Sequence, residues 1–114
     1  MREHLQHYID GKWVDSIGGQ RHEVINPATE EPVSAITLGT KADVDAAVAA
    51  ARRAFASFSQ TTREERLELL GRIVEEYKKR AADLGRVMAE EMGAPVSFAT
   101  TAQVGAGIGG FLGT

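Results

Sequence analysis

The sequence predicts an α/β fragment, with β-hairpins in the first forty residues followed by two or three helices. Three observations predict it. An Asp10-Gly11 pair sits between short apolar and aromatic stretches, the apolar spacing becomes helical from Thr40, and Thr62-Arg63-Glu64-Glu65 opens a second long apolar stripe. The expected organisation is one partial domain over 1–114. Its hairpins span 8–38, its helices 41–58 and 62–92, and a small-residue helix covers about 96–112.

In Tyr8-Ile9-Asp10-Gly11-Lys12-Trp13-Val14, Asp-Gly supplies the two positive-φ positions that a two-residue hairpin turn requires. Gly18-Gly19 makes a second turn. Arg21 to Ile25 then reads as a strand that stops at Asn26-Pro27, because proline restricts its predecessor and cannot donate to a ladder. A polar turn at 28–32 leads into another strand over Val33 to Leu38, so the two hairpins suggest a small antiparallel sheet.

Val44, Ala47, Val48, Ala51, Phe55 and Phe58 then fall at helical spacing, behind a capping box made by Thr40 and Asp43. Thr62 with Glu65 forms a second box, with acidic charge facing the positive end of the helix. Leu67, Leu70, Val74, Tyr77, Ala81, Leu84 and Met88 continue as one buried stripe, and Gly93 with Pro95 ends it. Gly85 is the place where that helix would kink or divide.

As a single helix, 62–93 would be roughly 48 Å long. A compact domain of this size has a diameter of roughly 35 Å. The overhang would leave Leu84 and Met88 in water, and a break near Gly85 would leave the glycine-rich tail without a partner. Isolated hairpins are marginal for the same reason. The economical reading is a fragment, or a subunit that borrows surface from others.

Composition narrows the chemistry. A net charge of −3 lacks the basic face of a nucleic-acid binder, and no apolar run is long enough for a bilayer span or a signal peptide. The chain therefore reads as cytoplasmic. Without cysteine there is no disulfide, thiolate metal site or cysteine nucleophile.

Gly105, Gly107 and Gly110 satisfy the dinucleotide pattern G-x-G-x-x-G. A buried strand does not precede them and only four residues follow, so a small-residue helix face packed on a neighbour is the better reading. His4 and His7, with His22 as a third ligand, read as solvated near a mobile terminus. The pairs Glu30-Glu31, Glu75-Glu76 and Glu90-Glu91 are solvated faces, because adjacent helical residues point about 100° apart. Arg52-Arg53 and Lys78-Lys79-Arg80 are ordinary basic surface. Glu91 differs from these. Continuing the stripe from Leu84 and Met88 reaches a carboxylate there, with Met92 as the alternative core position, and a buried carboxylate requires a cation or good donors.

Five blocks, taken in order, carry a resemblance. They are Tyr-Ile-Asp-Gly-Lys-Trp-Val at 8–14, Val-Ile-Asn-Pro-Ala-Thr-Glu-Glu-Pro-Val at 24–33, Asp-Val-Asp-Ala-Ala-Val-Ala-Ala-Ala-Arg-Arg-Ala-Phe at 43–55, Arg-Glu-Glu-Arg-Leu at 63–67 and Glu-Met-Gly-Ala-Pro at 91–95. Together they resemble the amino-terminal part, about the first quarter, of NAD(P)-dependent aldehyde dehydrogenases. The resemblance implies two hairpins and the first helices of a cofactor-binding domain, without its Rossmann core sheet. It places Gln103 and Ala106 where tunnel-lining residues occur, and Ile25 and Glu91 where some members bind a monovalent cation. Many members carry aspartate at the position of Glu91, one methylene shorter than the glutamate here.

The resemblance also implies a homo-oligomer using NAD or NADP, with thiolate attack on the aldehyde, hydride transfer and thioester hydrolysis. The family's cysteine, general-base glutamate and NAD segments lie downstream, so this chain alone is expected to be inert and to bind no cofactor. Its expected partners are the remainder of the dehydrogenase or full-length subunits. The competing readings are a helical assembly protein that binds such subunits and, more distantly, a metal-binding module.

Overall fold

A computed structural model describes residues 1–113, in two compact units: Met1–Ile25 with Pro32–Thr61, and Asn26–Glu31 with 62–113. The chain opens with five strands, β1 (Arg2–His4), β2 (Gln6–Ile9), β3 (Lys12–Asp15), β4 (Gln20–Asn26) and β5 (Glu31–Leu38), followed by helix α1 (Lys41–Phe58), all but the β4–β5 turn lying in the first unit. Asp10 and Gly11 take φ of 57° and 76°, closing the β2–β3 hairpin as the sequence requires. Tyr8 pairs with Trp13 across it, their rings edge-to-face at 5.2 Å.

The strands do not form one antiparallel sheet. β2 and β3 stand as a separate ribbon, while β1 joins a three-stranded sheet in the order β1-β5-β4 and runs parallel to β5. His4 lies opposite Ile36 in that register, so the expected loose terminus is a strand. Three residues are too short to announce themselves, and the pairing reaches more than thirty positions along the chain.

Thr40 caps α1 with both arms of the capping box. Yet the apolar stripe of this helix faces outward: Val44 is 57% exposed, Val48 47% and Phe55 68%. Only Asp43 and Ala50 of this helix are buried. Apolar surface is left uncovered on α1, a helix for which the sequence makes no such prediction.

The second unit is helical: α2 (Arg63–Lys79), α3 (Ala81–Met92), α4 (Val96–Phe98), a π-helical turn (Ala99–Gln103) and α5 (Val104–Leu112). Thr62 and Glu65 complete the second capping box. The expected single helix over 62–92 breaks at Arg80, where φ is −104° and ψ is 6°, and Gly85 is not the break. Gly85 is buried inside α3, where a Cβ would lie 2.4 Å from Thr100 Oγ1. Glycine there lets the tail pack on α3.

Leu84 and Met88 are accordingly half-buried rather than overhanging, and the tail does have a partner. Ala99 is fully buried, and Val104 and Val74 nearly so. Gly93 ends α3 at φ 72°, with the Asn26–Glu31 turn against it: a Cβ on Gly93 would meet Pro27 Cγ at 3.1 Å. Among the described residues no helix is long and apolar enough to cross a membrane.

Candidate functional site

The tunnel candidates lie in the tail of the second unit. Gln103 ends the π-helical turn, and Ala106 sits one turn further on in α5. π-Turns interrupt the regular ladder and often mark functional positions. Gln103 Nε2 donates to Met92 Sδ at 3.5 Å, while its Oε1 is buried without a hydrogen-bond partner. An amide has two donors and two acceptor lone pairs to satisfy, so this side chain is under-used by the fold that holds it. Ala106 is exposed and presents only a methyl group.

The same segment is fixed from α2. Tyr77 Oη donates to the Val104 carbonyl at 2.9 Å, and Gly107 permits the approach, because a Cβ there would fall 2.2 Å from that hydroxyl. The glycines at 105, 107, 109 and 110 all lie within α5. Their N–H groups belong to a helix, not to a loop that could cradle a phosphate. Close packing by small residues holds at Gly107, whereas Gly105, Gly109 and Gly110 face open space.

Ile25 lies on β4 in the first unit and is 46% exposed. Glu91 lies on α3 in the second unit and is exposed, as is Met92 at 60%. The stripe therefore runs to Ala89, 8% exposed, and leaves α3 without entering a core at Glu91 or Met92. Among the described residues no cluster of three or more His, Cys, Asp or Glu could hold a metal ion.

The strongest polar cluster surrounds Asp43, which is 6% exposed. Its carboxylate accepts from Ser16 Oγ at 2.5 Å, the Ile17 N–H at 2.8 Å and the Thr40 N–H at 2.9 Å. The Ser16 hydroxyl first, then the Ile17 and Thr40 amides, hold it well below the usual carboxylate range against the opposing effect of burial. His7, half-buried, brings Nε2 within 3.6 Å of Asp43 Oδ2. The sequence shows Asp43 only as a helix cap. Its bonds to residues 26 and 27 positions away depend on the hairpin and leave no local signal.

Strands followed by capped helices, with apolar residues left exposed along α1, make this an α/β chain. The chain belongs to the aldehyde dehydrogenase family, whose model matches residues 13–111. A 3-succinoylsemialdehyde-pyridine dehydrogenase of a Pseudomonas species is 47% identical over 113 residues, covering 98% of this chain and 24% of the relative. The crystal structure of an aldehyde dehydrogenase from Bartonella henselae matches at TM-score 0.95 and 37% identity, over 98% of this chain and 24% of that one. Aldehyde dehydrogenase C of Pseudomonas syringae, crystallised as a mutant with NAD+ and octanal, matches at 0.91 and 42%, over 95% and 22%. The chain thus spans about a quarter of the length of its relatives and corresponds to their N-terminal region.

Proposed function

We propose that this chain is the N-terminal part of an oxidoreductase that converts aldehydes to carboxylic acids with NAD(P)+, and that alone it is catalytically inert. One observation carries the inertness: the 114 residues include no cysteine, so the thiolate that would attack an aldehyde is missing from this polypeptide. Hydride transfer has no thiohemiacetal to start from. The cofactor is NAD or NADP for the whole protein, and the chain alone holds neither.

Within that assembly Gln103 and Ala106 line the substrate tunnel. The unspent acceptor on Gln103 supports this assignment, and the methyl group of Ala106 leaves width beside it. Ile25, through its main-chain oxygen, and Glu91, through its carboxylate, are each assigned as ligands of a monovalent cation. In support, the exposed Glu91 carboxylate is available to a ligand. The partner is the remainder of a dehydrogenase, and the outward stripe of Val44, Val48 and Phe55 gives a surface for it. The same stripe suits a second reading, a non-catalytic assembly protein that binds full-length subunits.

Purified chain incubated with NAD+ and octanal, with absorbance followed at the NADH band, tests inertness. No signal above the protein-free blank is expected; NADH production would refute the proposal.

A further inference from the structure

We infer that the groove along α2 is the seat of an amphipathic helix that carries a carboxylate, supplied by the remainder of a family-length dehydrogenase. The inference rests on the partner reading above and assigns it a surface. The groove is shallow and open, about 390 Å³, floored by Leu69, Ile73, Tyr77, Leu84 and Phe111, with Glu76 also along its edge. Its residues on α2, from Leu69 to Tyr77, recur three and four apart, so one helix face lines it for about 12 Å. That is a little over two turns of helix with an apolar face open along it, which matches recognition of an amphipathic helix in a groove.

The floor is apolar in function as well as composition. Tyr77 spends its hydroxyl on the Val104 carbonyl and offers only its ring, tilted against Phe111 at 6.2 Å. Ile73 remains 37% exposed and Phe111 36%. Charge selects the occupant further. On α2, Lys78 pairs with Glu75, while Lys79 and Arg80 both reach Glu76. Arg72, at the rim, has no carboxylate partner among the described residues. A cation left over beside an apolar floor favours a segment that brings an acidic side chain to that end. The Bartonella henselae chain, which contains this same fold at TM-score 0.95, is about four times as long, which supplies a source for such a segment.

The test co-expresses the 114-residue chain with the remaining three quarters of the Pseudomonas relative as a separate polypeptide, and measures recovered complex by affinity capture and sedimentation. Ile73→Glu is expected to lower recovery at least tenfold and Arg72→Glu several-fold, while Arg86→Glu on α3, outside the groove, leaves it unchanged. Melting by circular dichroism checks each variant. If Ile73→Glu does not fold, the exposed Arg72→Glu variant decides. Wild-type recovery from both groove variants overturns the inference and leaves the partner reading standing. No complex with the wild-type chain overturns both. Self-association that Ile73→Glu abolishes, with no mixed complex formed, makes a second copy the occupant and likewise overturns it.

Discussion

Ser16 donates its hydroxyl to the buried carboxylate of Asp43, 27 residues further along, at 2.5 Å. That bond fastens the segment after the first hairpin to the opening turn of α1, and the Ile17 amide repeats the connection. Asp43→Asn keeps the shape but replaces one acceptor oxygen with a donor that faces donors. A fall in Tm on the order of 5 °C is expected by circular dichroism. An unchanged Tm would mean that the cap alone holds α1.

The same carboxylate sets an acid limit. Its folded pKa lies below the unfolded value, so its stabilisation is complete above the ordinary carboxylate range and is lost as pH falls through that range toward the folded value. Wild-type chain should lose denaturation free energy steadily below about pH 4.5, with Asp43→Asn following a shallower slope. Urea melts between pH 3 and pH 7 measure both, and parallel slopes would count against the assignment.

Two glycines in the helical unit should respond in opposite directions. Gly71 has open space around a would-be Cβ, whereas at Gly85 the Cβ would lie 2.9 Å from Thr100 Cα. Gly71→Ala should stabilise by about 0.5–1 kcal/mol, the helix-propensity difference. Gly85→Ala should destabilise despite that gain, because backbone must move apart. Chemical denaturation of the two variants decides, and gains at both sites would contradict the close approach of the tail.

These responses show where the sequence was readable. Asp10-Gly11, Thr40 with Asp43, and Thr62 with Glu65 act within four residues, and each performs the role its local chemistry announces. Arg80 gives no warning of a break, being a good helix former inside an uninterrupted stripe; packing of the tail on Gly85 and Tyr77 accompanies the turn there. The α1 stripe was legible as apolar but not as outward-facing, since periodicity locates a face without naming what covers it. Gln103 and Ala106 entered only through resemblance: neither Gln nor Ala at such positions carries chemistry that spacing alone reveals.

Tyr77→Phe removes the donor to the Val104 carbonyl while keeping the ring against Phe111. The loss should be about 1 kcal/mol, the net worth of a part-buried hydrogen bond. Gly107→Ala should cost more, because its new methyl must displace the same hydroxyl and the ring carbon behind it. A smaller effect for Gly107→Ala than for Tyr77→Phe would mean that the α2–α5 contact yields freely.

Gln103 gives the sharpest separation of fold from function. A buried acceptor without a partner costs roughly 1–3 kcal/mol, and a 3.5 Å contact from the other end of the amide to a thioether returns little of it. Leucine has a similar volume and no polar atoms, so Gln103→Leu should raise the stability of the 114-residue chain by about 1 kcal/mol. A fold selected only for stability would not retain the amide; a wall of a substrate passage would, because aldehyde and water need a polar contact that the fragment itself does not use. Measured stabilisation, together with a raised aldehyde KM and near-constant kcat in the reassembled enzyme, would give Gln103 a role in the passage. A loss of stability on removing the amide would return it to the fold and leave the tunnel assignment without its structural support.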